Sequence, residues 1–180
     1  MNIRETGLSG CYVIENSLFK DDRGLFCKTF HIDVLQGYGL QLPIREQFVS
    51  FSSKHILRGM HFQIPPHDHA KLVTCITGSA LDVVVDIRVG SPTYGTYITI
   101  DLLPGISVWI PKGIAHGFLS LEDNTGMLYN TSHVHVPASD TGILWDSFGY
   151  EWPCARPILS ERDQKHPPLS QFKSPFLVGA

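Results

Sequence analysis

Long apolar runs are missing from this sequence. No stretch approaches the roughly 20 residues that a bilayer-spanning helix needs, so no such helix is expected. A charge excess is missing too. The net charge is -3 with the histidines neutral, and no basic patch stands out, so neither a nucleic-acid nor a membrane-surface partner is expected. Cysteine is scarce and unpatterned: Cys11, Cys27, Cys75 and Cys154 include no Cys-x-x-Cys pair. Free buried thiols in a reducing cytoplasm follow from that, not a disulfide framework. The first residues, Met1 to Thr6, carry no apolar signal core, which also fits a cytoplasmic location. Helical periodicity is nearly absent, and there is no internal repeat or low-complexity segment.

What remains suits a globular domain. At 180 residues the chain matches one domain and buries roughly 70% of its unfolded surface without staples. Hydrophobic residues at 43% and charged residues at 17% are an ordinary balance for such a core. We expect a single domain over 1–180. N-terminal strands would occupy about 1–45, a β core about 46–150, and a proline-rich wrap about 151–180.

The pattern along the chain is mostly strand. Cys11 to Asn16 reads as a short strand, and Asp21-Asp-Arg-Gly24 as a turn in which glycine can take positive φ. Ile32 to Tyr38 is the best short helix, closed by Gly39. Gln47 to Ser53 and Leu72 to Thr77 follow as strands. Ala80 to Arg88 puts Leu81, Val83, Val85 and Ile87 on one face, and Asp82, Val84, Asp86 and Arg88 on the other. The second face is expected toward water or a polar cavity. Tyr97 to Leu102, Ile106 to Ile110, Gly117 to Leu121 and Met127 to Thr131 complete the series. Short strands at close spacing with Gly/Pro turns indicate a β-sandwich or barrel.

The chemistry concentrates in Leu57 to Lys71, which holds Arg58, His61, His67, His69 and Lys71. A base, a cation and a glycine beside an apolar run suit a pocket that handles an acidic proton. His67 and His69 follow Pro65-Pro66 and read as a solvated loop tip. His61 lies in a strand-like apolar context, where a core histidine and a functional one are both open readings. The spacing Gly105-x5-Pro111-x-Gly113-x2-His116 is the second signature of the cupin double-stranded β-helix. The first signature is incomplete: no glutamate follows His67-Asp-His69, and Lys71 stands where a metal site wants a carboxylate. A cation repels a metal ion there, so no metal is expected.

An ordered set of blocks gives a more specific resemblance. It comprises Asp21-Asp-Arg-Gly-Leu-Phe26, Leu57-Arg-Gly-Met-His-Phe-Gln63, Lys71-Leu-Val73 and Asp82-Val-Val-Val-Asp86. Ser91-Pro-Thr-Tyr-Gly95, Trp109 to Phe118, Leu128-Tyr129 and Pro157 to Asp163 continue it. Together these resemble the dTDP-4-dehydrorhamnose 3,5-epimerase family. The resemblance implies an all-β cupin jelly roll with short peripheral helices, usually a homodimer. No cofactor is implied. The implied substrate is a nucleotide-diphosphate 4-keto-6-deoxy sugar of activated deoxysugar biosynthesis, inverted beside its ketone.

By the same resemblance His61 is the base and Asp163 its orienting partner. Lys71, with His116, would hold the enolate oxygen, and Tyr129 would return the proton from the opposite face. Arg58 and Arg23 would take the diphosphate with their guanidinium forks. Phe26, Lys28, Glu46, Phe48, His135, Asp140 and Arg162 complete the implied substrate-binding set. Three departures stand out. Lys28 replaces a glutamate, Glu46-Gln-Phe48 replaces Gln-x-Asn, and Val134-His135 replaces paired tyrosines, one of which stacks on thymine. All fall where nucleotide and sugar are held, which implies a changed substrate. The alternatives are a ketoisomerase or single-centre epimerase on a CDP- or GDP-linked sugar, a metal-dependent cupin using His61, His67, His69 and His116, and a sugar-binding cupin without turnover.

Overall fold

A computed structural model describes residues 1–178. Its strands are β1 (Asn2–Glu5), β2 (Tyr12–Glu15), β3 (Leu18–Asp21), β4 (Gly24–Cys27), β5 (Glu46–Ser52), β6 (Leu57–Gln63) and β7 (Lys71–Thr77). They continue as β8 (Ala80–Asp86), β9 (Tyr97–Leu102), β10 (Ile106–Ile110), β11 (Ile114–Ser120), β12 (Thr125–Thr131) and β13 (Asp140–Gly142). One short helix, α1 (Ile32–Gly37), and a 3-10 turn (Leu169–Gln171) complete the elements. Among the described residues no helix is long and apolar enough to cross a membrane.

The strands form two antiparallel sheets, ordered β1-β2-β10-β7-β12-β5 and β13-β6-β11-β8-β9, plus the separate β3-β4 hairpin. The two sheets face each other in the expected cupin jelly roll. Alternation puts every second residue between them. Val73 and Cys75 of β7, Val84 of β8, Val108 of β10, Phe118 of β11 and Met127 of β12 share one buried cluster. Alternate residues on β8 and β11, including Val83, Val85, Ala115 and Leu119, pack outward against Trp152, Phe172 and Phe176 of the tail. The C-terminal segment therefore covers the outer face of the five-stranded sheet. The last two positions of the expected 151–180 wrap lie outside the described residues. The opposite sheet is covered by α1, whose Leu35 packs with Leu72 and Trp109.

One sequence expectation changes here. The acidic face of β8 does not meet water: Asp82 and Asp86 are both fully buried. Asp82 points between the sheets, while Asp86 accepts hydrogen bonds from Arg88, Ser91 and Thr93. Those bonds outweigh the upward push of burial and hold its carboxyl down at about 2.

Two glycines set the spacing of the strands that carry histidines. Gly59 on β6 takes φ +149°, and a Cβ built there would stand 2.6 Å from Gly117 Cα on β11. The backbones thus touch where the register shifts between His116 and Phe118. His61 and His116 emerge as register partners beside this contact.

Candidate active site

At one end of the barrel a cavity of about 420 Å³ opens between the sheets. This is in the range of small-molecule sites. His61, Arg58 and Gln63 enter from β6, His116 from β11, Lys71 from β7 and Tyr129 from β12, with Phe48 and Glu46 at the β5 edge. Asp140, His133, His135 and Arg162 close the rim.

His61 Nε2 lies 2.8 Å from Asp163 Oδ1. Asp163 reaches it from the tail, 102 positions away, and is itself fixed: its Oδ2 accepts the Gly59 N–H at 3.2 Å. Its own N–H donates to Ser160 Oγ. Burial pushes the Asp163 carboxyl up, but the His61 and Gly59 hydrogen bonds hold it well below the usual range, so it stays ionised. His61 is shifted down, mainly by burial and further by the Arg162 and Lys71 charges, against the pull of Asp163. It is therefore neutral near pH 7 and able to accept a proton.

Lys71 is buried beside it, its Nζ donating to the His61 carbonyl at 3.1 Å. Burial brings its pKa down to about 8. His116 is also buried, with Nε2 2.6 Å from Asp82 Oδ2. Tyr129 lies across the cavity on the other sheet, edge-on to His116 with centroids 6.3 Å apart. Burial, then the Asp82 charge, raises its phenol well above the ordinary value, which keeps it protonated. His61 and Tyr129 thus approach the cavity from facing sheets. Lys71 lines the space between them. Such an arrangement can remove a proton on one side and return one on the other.

The rim is polar and interlocked. Glu46 accepts the His135 N–H at 2.7 Å, and His135 Nε2 lies 3.3 Å from Asp140. Arg162 donates to Asp140 at 2.5 Å and reaches His61 Nε2 at 2.8 Å. Arg58 donates Nε to Ser52 Oγ.

The structure therefore gathers most of the expected residues: His61, Asp163, Lys71, His116, Tyr129, Arg58, Glu46, Phe48, His135, Asp140 and Arg162. It does not bring Arg23, Phe26 or Lys28 to the cavity within one chain. Arg23 and Phe26 sit on the β3-β4 hairpin and Lys28 directly follows it; Arg23 pairs with Asp21 and Phe26 packs on Phe19, both exposed to solvent. Among the described residues the hairpin pairs with neither main sheet. The solvated-tip reading of His67-Asp-His69 is also corrected. His67 bonds Ser139, while His69 lines the cavity and meets Gln63 at 3.0 Å. Burial and the nearby Lys71 charge bring His69 down to about 3.

Gln63, at the end of β6, has no role in the family resemblance. Its amide binds the His67 and Val134 carbonyls and the Val136 N–H, tying both rim loops to β6. Local pattern held no signal for the tie to the second loop, because Val134 and Val136 lie more than 70 positions away. The four histidines of the metal-centred alternative do not meet as one donor set among the described residues. A different set, His61, Asp163 and His166, places donor atoms within 4.8 Å of one another.

Comparison with known proteins points to one family. The family model described as dTDP-4-dehydrorhamnose 3,5-epimerase matches residues 5–171. The Shigella flexneri dTDP-4-dehydrorhamnose 3,5-epimerase is 36% identical over 91% of this chain and 93% of its own. The dTDP-4-dehydrorhamnose 3-epimerase of Streptomyces niveus is 36% identical over 91% and 82%. A solved dTDP-6-deoxy-D-glucose-3,5-epimerase from Legionella pneumophila, in complex with dTDP-4-keto-L-rhamnose, superposes with a TM-score of 0.90. It is 31% identical and covers 96% of this chain and 94% of that one.

Proposed function

The chain belongs to the dTDP-4-dehydrorhamnose 3,5-epimerase family, and from that premise we propose that it inverts carbon 3, carbon 5 or both in a nucleotide-linked 4-keto-6-deoxy sugar. The observation that carries this reading is the His61–Asp163 pair facing Tyr129 across one cavity, with Lys71 between the sheets.

A proton beside a ketone is only weakly acidic. His61 takes it as general base, and Asp163 steadies the imidazolium that forms, a contribution of roughly 10²–10⁴ in rate. Charge moves onto the ketone oxygen, where the Lys71 ammonium and the His116 imidazole stabilise the enolate. Tyr129 then donates its phenolic proton to the same carbon from the opposite face, which inverts it. The phenolate regains a proton and His61 loses one to solvent, closing the cycle.

The diphosphate meets Arg58 at the mouth, and the nucleotide lies along the rim of Glu46, His135, Asp140 and Arg162. Arg23, Phe26 and Lys28 enter from a second copy. The β3-β4 hairpin, which bears the first two and leads into the third, is apolar and exposed, with Leu18, Phe19, Leu25 and Phe26 all facing solvent. Such a patch suits burial in an interface. The active form in this reading is a homodimer.

Incubation with dTDP-, CDP- and GDP-linked 4-keto-6-deoxy sugars in heavy water tests the function. One or two deuterons incorporated beside the ketone count the carbons inverted. A protein that exchanges no proton with any of them is not this enzyme.

A further inference from the structure

One buried group beside the dyad has no task in this mechanism. His166 follows Asp163 by three positions, and its side chain is 9% exposed. Its Nε2 has no hydrogen-bond partner among the described residues. Leaving such an atom unpaired costs about 1–3 kcal/mol, and an orphan of this kind calls for an explanation. The ring is seated in a slot: a Cβ on Gly142 would stand 2.8 Å from its Nε2 and Cδ2. It meets the His61 ring edge-on with centroids 5.9 Å apart, and its Nε2 lies 3.9 Å from Asp163 Oδ1. The orphan atom thus points at the dyad, and all three donor atoms lie within 4.8 Å of one another.

We propose that His61, Asp163 and His166 form a site for a borderline divalent cation such as Zn²⁺ or Co²⁺, and that its binding turns the base off. Two imidazoles and one carboxylate are a donor set that such ions favour. An ion about 2.0–2.2 Å from each donor needs donors roughly 3–4 Å apart. Small side-chain movements reach this: the 2.8 Å gap between His61 and Asp163 widens, and His166 closes in. Arg162 already places positive charge there, with Nη2 2.8 Å from His61 Nε2 and Nε 3.3 Å from Asp163 Oδ1. It is half exposed and tied to Asp140, so it can swing outward, and its charge opposes an incoming cation.

The proton balance explains the inhibition. In the working state the His61 proton lies on Nε2 toward Asp163, and Nδ1 carries the free lone pair. A metal ion on Nε2 sends that proton to Nδ1. The ring stays neutral but its remaining nitrogen now bears hydrogen, so it cannot accept one from a sugar. His166 binds through its own Nε2 lone pair, with its proton on Nδ1, and neither ring releases a proton. Metal binding stands apart from the reaction; the inhibition rests on His61 being the base, as proposed above.

The full-length protein, freed of metal, is titrated with Co²⁺ followed by visible absorption and with Zn²⁺ by calorimetry. One ion per chain is expected. His166→Gln should weaken both by roughly tenfold or more, and Arg162→Met should tighten them by removing a like charge. Zn²⁺ should inhibit the unaltered enzyme in step with occupancy and hardly affect His166→Gln, whose metal-free rate should match it. Equal Co²⁺ affinity in His166→Gln, or no uptake by the unaltered protein, overturns the site. Metal uptake of the expected kind by a protein that turns over no 4-keto sugar supports the site and defeats the functional reading instead.

Discussion

The Phe48 ring lies flat on the Tyr129 phenol, with centroids 4.7 Å apart and planes 10° from parallel. Tyr129 is buried while Phe48 is half exposed, so Phe48 is the shield between the phenol and water. Burial is the leading cause of the raised phenol pKa. Phe48→Ala is therefore expected to bring that pKa down toward the ordinary value of about 10. The difference in tyrosinate absorbance between Phe48→Ala and the Phe48→Ala/Tyr129→Phe double variant measures it. An unchanged phenol would mean that something other than Phe48 keeps it dry.

Asp163 is ionised and holds one tautomer of His61. Asn at 163 keeps the shape but offers an N–H where the ring needs an acceptor. The expected loss in kcat is about 10²–10⁴-fold with little change in KM. Steady-state kinetics decide it; a loss confined to KM would remove Asp163 from the dyad.

Lys71 sets an alkaline limit. In the proposed mechanism its ammonium holds the enolate only while protonated, so kcat is expected to fall through a pH of about 8. The acid limb belongs to His61, which must be neutral, and lies below 6.5 because its pKa is shifted down. Stability runs the other way. Below pH 8 both folded and unfolded chains hold the Lys71 proton, and the folded one bears the full burial penalty. Between about 8 and 10.5 only the unfolded chain keeps it, so stability rises with pH there. Lys71→Met removes that penalty, worth up to about 3 kcal/mol at pH 7, while abolishing most activity. Denaturant melts of both proteins at pH 7 and 10 test the sign.

If the hairpin serves a second copy, two dead variants should rescue each other. Arg23→Ala and His61→Ala are each expected to be nearly inactive. In a mixed dimer one site joins an intact His61 to an intact Arg23. Random pairing restores about a quarter of the sites. Activity measured after mixing and re-equilibration should show that recovery; none at all would place Arg23 outside the partner's cavity.

Gly117 has no room for a side chain. A Cβ there would stand 2.7 Å from Met60 Sδ and 2.8 Å from the Arg58 carbonyl. Gly117→Ala is expected to cost about 1–3 kcal/mol or more, seen as a Tm lower by several degrees, and to spread His61 from His116.

The strand ladder was legible because alternation is local. Residues such as Leu81, Val83 and Val85 announce a face by their spacing alone. The meaning of the other face was not legible. Asp82 finds His116 34 positions away, and no window of sequence contains both. The positions that the resemblance assigns to acid–base work lie around one cavity. The hairpin residues Arg23 and Phe26, and Lys28 beside them, came from the same resemblance, but their location follows from a chain that closes its barrel without them. The surroundings of Gln63 and His166 are not legible locally, because Val134 and Val136 lie more than 70 positions from the first and His61 about 100 from the second.

Where Gly59 and Gly117 touch, main chain rests on main chain with nothing adjustable between. Side chains are how a lineage tunes a molecule by degrees, and this seam has none to tune. Change is thereby steered outward to the edge of the bowl, where Glu46 and His135 can be traded without disturbing the acid–base floor. If the proposed function holds, a barrel built this way can take new sugars while its proton chemistry stays the same.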